Sequence, residues 1–195
     1  AILYRSNFQA RVLEQAFRNY KIPYTISGGQ SFFDKAEIKD IMAYLRLIVN
    51  EDDDLAFIRA ITTPKRGIGE TTLSKYATFR NISMFEALFE TGFAQDCNNT
   101  QLESLINFGE FINEFQFKQD KAPAGELLAE LLRKINYETY LFESEEEKNA
   151  QKRLANLNSF VEWLSKKGES DNKSLIELSQ MVELINLLDG NSQDE

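Results

Sequence analysis

Along most of the chain, apolar residues return every three to four positions, the spacing that gives a helix one buried stripe. The repeat predicts helices over 36–49 (through Ile38, Ile41, Met42, Leu45 and Ile48), 54–61, 70–80, 84–89, 101–119, 124–136, 145–167 and 174–188. Breaks are expected at 122–123, 137–144 and 168–173. An earlier helix is predicted over 6–19, where Val12, Leu13, Ala16 and Phe17 recur at helical spacing and Ser6 or Asn7 can cap the first free N–H groups. Only two segments read differently. Ala1-Ile2-Leu3-Tyr4-Arg5 is a short apolar run, and Ile22-Pro23-Tyr24-Thr25-Ile26 is rich in β-formers and ends in Ser27-Gly28-Gly29, so both are predicted strands.

The expected fold is therefore mainly α: a strand-helix-strand piece over 1–28, a helical domain over 29–188, and a polar tail or linker over 189–195. Two parallel strands alone leave open edges and an uncovered face, and parallel sheets occur almost only inside larger α/β domains. The first 28 residues, which open in a strand without an initiator Met, are accordingly expected to be a piece of a larger α/β sheet domain in a longer protein.

Composition narrows the function classes. There is one cysteine, Cys97, and no histidine, which excludes an internal disulfide framework and removes the commonest zinc ligand and general base. No apolar run approaches the roughly 20 residues of a membrane span and no signal-peptide pattern opens the chain, so a soluble protein of a reducing, cytoplasmic setting is expected. The net charge of −9 argues against a phosphate-backbone partner until its distribution is considered. Residues 1–80 hold 12 Lys/Arg against 9 Asp/Glu, whereas residues 81–195 hold 10 against 22. The acidic half is expected to face away from nucleic acid.

The sharpest local signal is Thr63-Pro64-Lys65-Arg66-Gly67-Ile68-Gly69-Glu70-Thr71-Thr72-Leu73. Two glycines allow close backbone approach, and the free N–H groups of a following helix favour an anion such as phosphate. The window 59–80 carries five basic residues (Arg59, Lys65, Arg66, Lys75, Arg80) against one acidic residue, Glu70, the layout of a hairpin-helix-hairpin-like element that grips a DNA backbone without reading bases. An ordinary glycine turn before a capped helix is the alternative. Gly28-Gly29 is a candidate hinge, because hinges need residues that absorb large backbone changes. Phe32 and Phe33 fit core packing better than base stacking. The run Glu51-Asp52-Asp53-Asp54 fits helix capping better than a metal site, and Glu143, Glu145, Glu146 and Glu147 fit a solvated helix start. The phosphate-cradling pattern Gly-x-x-x-x-Gly-Lys-Ser/Thr occurs nowhere, so no catalytic residue, metal or cofactor is expected on this chain.

Taken in order, Ile2-Leu3-Tyr4-Arg5-Ser6-Asn7-Phe8-Gln9-Ala10-Arg11, Ile22-Pro23-Tyr24, Gly28-Gly29, Phe32-Phe33, Glu37-Ile38-Lys39-Asp40, Ala43-Tyr44-Leu45-Arg46, Asp53-Asp54 and Thr63-Pro64-Lys65-Arg66-Gly67-Ile68-Gly69 resemble the superfamily 1 DNA helicases of the UvrD/Rep/PcrA type. The resemblance rests on residues 1 to about 75; beyond them it is one of helical character and length. It implies that residues 1–28 belong to the second RecA-like motor domain and 29–188 to the insertion called subdomain 2B. It further implies that Arg5 and Asn7 lie in helicase motif IV, which helps hold single-stranded DNA, and that Gly67, Ile68 and Gly69 meet duplex DNA ahead of the fork, with Lys65, Arg66, Thr71 and Thr72 beside them. The parent enzyme would use ATP and Mg²⁺ to translocate on one strand and displace the other, and accessory repair or replication proteins are possible partners. A regulatory protein-protein interaction subdomain of the same helicase is the alternative role, for which the acidic half is the sequence observation.

Overall fold

The computed structural model describes residues 1–26, 31–66, 74, 77–78, 80–90, 92, 98–119 and 121–190, with residues 7, 8 and 183–190 described by their backbone alone. Helix α1 (Asn7–Asn19) is followed by a short 3₁₀ turn (Phe32–Asp34), α2 (Ala36–Val49), α3 (Asp54–Thr62), a one-turn α4 (Met84–Ala87), α5 (Asn99–Lys118), α6 (Ala124–Lys134), α7 (Tyr137–Ser144), α8 (Glu147–Asp171) and α9 (Leu175–Gly190).

Helix α2 is the centre of the fold. Ile38, Ile41, Met42, Tyr44, Leu45, Leu47 and Ile48 are all buried, on more than one side of the helix, because α3, α5, α8 and α9 pack around it. Each such aliphatic side chain contributes roughly 1.5–3 kcal/mol by leaving water. The polar positions Glu37 and Asp40 are buried there too, and each is satisfied from a neighbouring helix. Asn156 Nδ2 and Arg153 Nε donate to Glu37 at 2.8 and 3.2 Å. Arg59 Nε and the Tyr137 hydroxyl donate to the two oxygens of Asp40 at 2.9 and 2.5 Å. A buried carboxylate without such partners would cost several kcal/mol, so this network fixes how α2, α3, α7 and α8 meet.

The acidic run before α3 works as a cap. Asp53 Oδ1 accepts the Ala56 N–H at 2.9 Å while its other oxygen holds Arg46, and Asp54 Oδ1 accepts the Met84 N–H at 2.8 Å, tying α3 to α4. Phe32 and Phe33 are core residues, each 2% exposed.

Three sequence expectations need correction. Residues 137–144 form a helix rather than a break: Tyr137 and Leu141, one turn apart, are both fully buried and anchor it. Helix α8 runs through the expected break at Gly168 because that residue lets it pass close to its neighbours; a Cβ there would sit 3.2 Å from Leu178 Cδ1 and 3.4 Å from the Ala124 Cβ. The two predicted strands do not form. Residues 1–4 and 24–26 flank one groove on α1 together with Ala10, Leu13, Glu14 and Phe17, but among the described residues no ladder of backbone hydrogen bonds joins them. β-propensity becomes a strand only where a partner supplies the ladder.

Helix α1 itself docks through a polar face. Buried Glu14 accepts from Ser31 Oγ at 2.5 Å and from the Phe32 N–H at 3.0 Å, and the Arg18 guanidinium lies 3.7 Å from the Phe33 ring centroid. Arg11 donates to Ser159 and Trp163 Nε1 to Asn19, at 2.8 and 3.1 Å, so α1 rests on α8. Val12, on the other side, is half exposed.

Candidate nucleic-acid interface

The α2–α3 hairpin brings the start of α2 beside the end of α3, where Arg59 Nη2 donates to the Ala36 carbonyl at 3.2 Å. From this end the chain leaves α3 into Pro64, Lys65 and Arg66. Arg66 turns inward. Its Nη1 donates to the carbonyls of Ala60, Ile61 and Pro64 at 2.7, 3.1 and 3.1 Å, and its Nη2 donates to the Tyr44 oxygen at 2.6 Å. The guanidinium also lies 4.9 Å from the Phe108 ring centroid. The planar, multi-donor fork of arginine thus satisfies carbonyls that the end of α3 leaves without helical partners. The Tyr44 hydroxyl in turn donates to the Thr63 carbonyl at 2.8 Å. Burial pushes the Tyr44 phenol up to about 12, with Arg66 pulling the other way, so the phenol keeps the proton it donates.

Lys65, one residue earlier, is exposed and has no ion-pair partner among the described residues. It borders a groove with Asn136, Thr139 and Tyr140 of the α6–α7 junction and with Glu143, Ser144 and Glu145. The remaining sequence candidates are placed as follows. Arg5 is exposed just before α1, and its backbone N–H donates to Gln9 Oε1 at 3.0 Å. Asn7 begins α1 and is described by its backbone alone. Gly28, Gly29, Gly67, Ile68, Gly69, Thr71 and Thr72 lie outside the described residues. Arg59 and Arg80, counted in the basic window, pair with Asp40 and Glu90.

Sequence reasoning missed the group that holds Arg66. Phe108 lies far along the chain on α5, and no local pattern connects it to Arg66. Four of the eight lysines of the acidic half are engaged with carboxylates: Lys118 with Glu114 and Glu130, Lys134 with Glu114, Lys166 with Glu162 and Lys167 with Asp171. No helix of the described residues is long and apolar enough to cross a membrane, and no group of three or more Cys, Asp or Glu residues there could hold a metal ion.

The UvrD-like helicase C-terminal domain matches residues 1–195, and the chain belongs to that family. It is 40% identical over 204 residues to the ATP-dependent DNA helicase Rep of Escherichia coli (strain K12), an alignment covering 100% of this chain and 30% of the relative. It is 42% identical over 164 residues to the ATP-dependent DNA helicase PcrA of Staphylococcus epidermidis, with 83% of this chain and 22% of the relative covered. PcrA of Staphylococcus aureus (strain Mu50) is 41% identical with the same coverage. The chain thus spans less than a third of the length of these relatives.

Proposed function

We propose that this chain is the duplex-contacting, regulatory part of an ATP-dependent DNA helicase, set against the sugar-phosphate backbone through Lys65 and the Gly67-Ile68-Gly69 turn. The observation that carries the reading is the division of labour between adjacent cations. Arg66 is bound to Ala60, Ile61, Pro64 and Tyr44, while Lys65 is exposed and has no ion-pair partner among the described residues. A turn that must meet a rigid, charged polymer needs a fixed base and a mobile counter-charge, and these two residues supply them. Backbone N–H groups of the glycine turn and the Thr71 and Thr72 hydroxyls would then hold phosphate without reading sequence.

In this reading residues 1–28 belong to the motor domain, where Arg5 and Asn7 face single-stranded DNA and Gly28-Gly29 is the hinge. Residues 29–188 form the 2B-type insertion, 189–195 lead on as a linker, and the exposed Ile2, Leu3, Val12 and Ile22 meet the rest of the motor. In this reading ATP and Mg²⁺ act elsewhere in the parent helicase, since the sequence carries no Gly-x-x-x-x-Gly-Lys-Ser/Thr loop. The parent would work in the cytoplasm on single-strand/duplex junctions.

Fluorescence-anisotropy titration of the chain with a short hairpin duplex, at low and physiological salt, tests the reading. Binding should weaken with salt and be largely lost in Lys65→Glu. Arg66 is unsuited to charge reversal because its loss would undo the platform. Wild-type chain that ignores duplex at low salt, or Lys65→Glu that binds like wild type, would overturn the reading; the acidic helices would then favour a regulatory protein partner.

A further inference from the structure

The groove beside Lys65 does not stop at α7. Glu145 closes it, and the same residue opens a second groove lined by Lys35, Glu37, Asn149, Lys152, Arg153 and Asn156. Lys35 caps the start of α2 at the end of the hairpin from which the 64–66 segment departs, and Lys152 projects from α8. Among the described residues neither lysine has an ion-pair partner, in contrast to the paired lysines of α5, α6 and the far end of α8. Glu37 and Glu145 share one cation, Arg153, and Glu37 also accepts from Asn156, so the groove's lining holds three cations (Lys35, Lys152 and Arg153) against two carboxylates. The lining is therefore positive by one charge, within a chain whose net charge is −9.

We infer that the two grooves form one track for a nucleic-acid backbone, with Lys35 and Lys152 as a second phosphate-binding point beyond Lys65. The inference rests on the duplex-contact reading of Lys65 and extends its footprint. Exposed Asn136, Thr139 and Asn149 supply neutral donors along the way, matching a partner recognised by phosphate and sugar rather than by base. Glu143, exposed in the first groove and without an ion-pair partner among the described residues, is a carboxylate on the path, and it weakens the binding.

The test is a salt series of duplex titrations by anisotropy on the full chain, comparing wild type, Lys65→Gln, the double variant Lys35→Gln with Lys152→Gln, Glu143→Gln, and Lys166→Gln as comparator. Lys166 lies 14 residues along α8 from Lys152, about 21 Å away at 1.5 Å per residue. The double variant should lower the slope of log K against log salt by roughly one to two, at about 0.9 for each phosphate left without its lysine, with an unchanged thermal midpoint. Glu143→Gln should tighten binding, and Lys166→Gln should leave the slope unaltered. A double variant with the wild-type slope, beside a weakened Lys65→Gln, would overturn the track and leave the proposed function standing. Wild-type chain that binds no duplex at low salt would overturn both. A slope lowered equally by Lys166→Gln would mark diffuse attraction and also overturn the track.

Discussion

The guanidinium of Arg66 donates a 2.6 Å hydrogen bond to the phenol oxygen of Tyr44, and through it the basic segment after α3 is fastened to the central helix. Two neighbouring cations should consequently respond oppositely to removal. Arg66→Ala strips a donor from the Ala60, Ile61 and Pro64 carbonyls and should destabilise the fold by about 1–3 kcal/mol. Lys65→Ala, at an exposed site, should stay within about 0.5 kcal/mol of wild type while weakening duplex binding. Urea unfolding of both variants checks the pair; equal stability losses would remove the distinction.

A second expectation concerns the buried carboxylate of α2. Tyr137→Phe deletes the 2.5 Å donor to Asp40 and, among the described residues, leaves that oxygen with Arg153, 3.7 Å away. The cost should be about 1–3 kcal/mol, seen in a thermal melt as a fall of roughly 2–4 °C per kcal/mol for a chain of this size. A melt unchanged by the substitution would show that the network is not rigid.

Helix α6 crosses α8 at Gly125, where an added Cβ would come 2.9 Å from the Ser165 Cβ. Alanine is normally the better helix former by up to about 1 kcal/mol, yet here the crossing must open. Gly125→Ala should therefore destabilise, and Gly125→Ala combined with Ser165→Gly should recover much of the loss in the same melt.

Glu14 gives a pH signature. Burial raises its carboxyl above the ordinary 4.5, against the opposing pull of Ser31, the Phe32 N–H, Arg18 and Tyr24. Between the unfolded and folded values the folded state holds the proton more tightly, so this group's contribution to stability declines as pH rises through that window. Glu14→Gln removes the effect. The difference in thermal midpoint, variant minus wild type, should move in the variant's favour as pH rises above the ordinary 4.5; a constant difference would contradict the assignment.

Helices whose apolar stripes face the core were legible almost to the residue, as with α2 over 36–49 and α3 from Asp54. The acidic run was legible as a cap because Asp at a helix start answers a local need. The features that sequence did not reveal depend on distant partners. Helix α7 is short and mixes Tyr and Thr with Glu, so its only strong reason to be helical is the pocket that receives Tyr137 and Leu141. The segments 1–5 and 22–26 have strand-forming residues and no ladder among the described residues. At the interface, the basic window could be counted from sequence, but not which cations face outward: Arg59 and Arg66 are committed to Asp40 and to backbone carbonyls. Lys65 keeps its charge in solvent.

Hydrogen-deuterium exchange of the chain with and without a hairpin duplex, read peptide by peptide, is the most direct test of the central claim, because it locates the binding surface. The amides of residues 65–74 should slow when duplex is added at low salt and return to their free rates as salt is raised. Protection confined to α5, α6 and the far half of α8, with none at 65–74, would contradict the assignment of duplex binding to this turn.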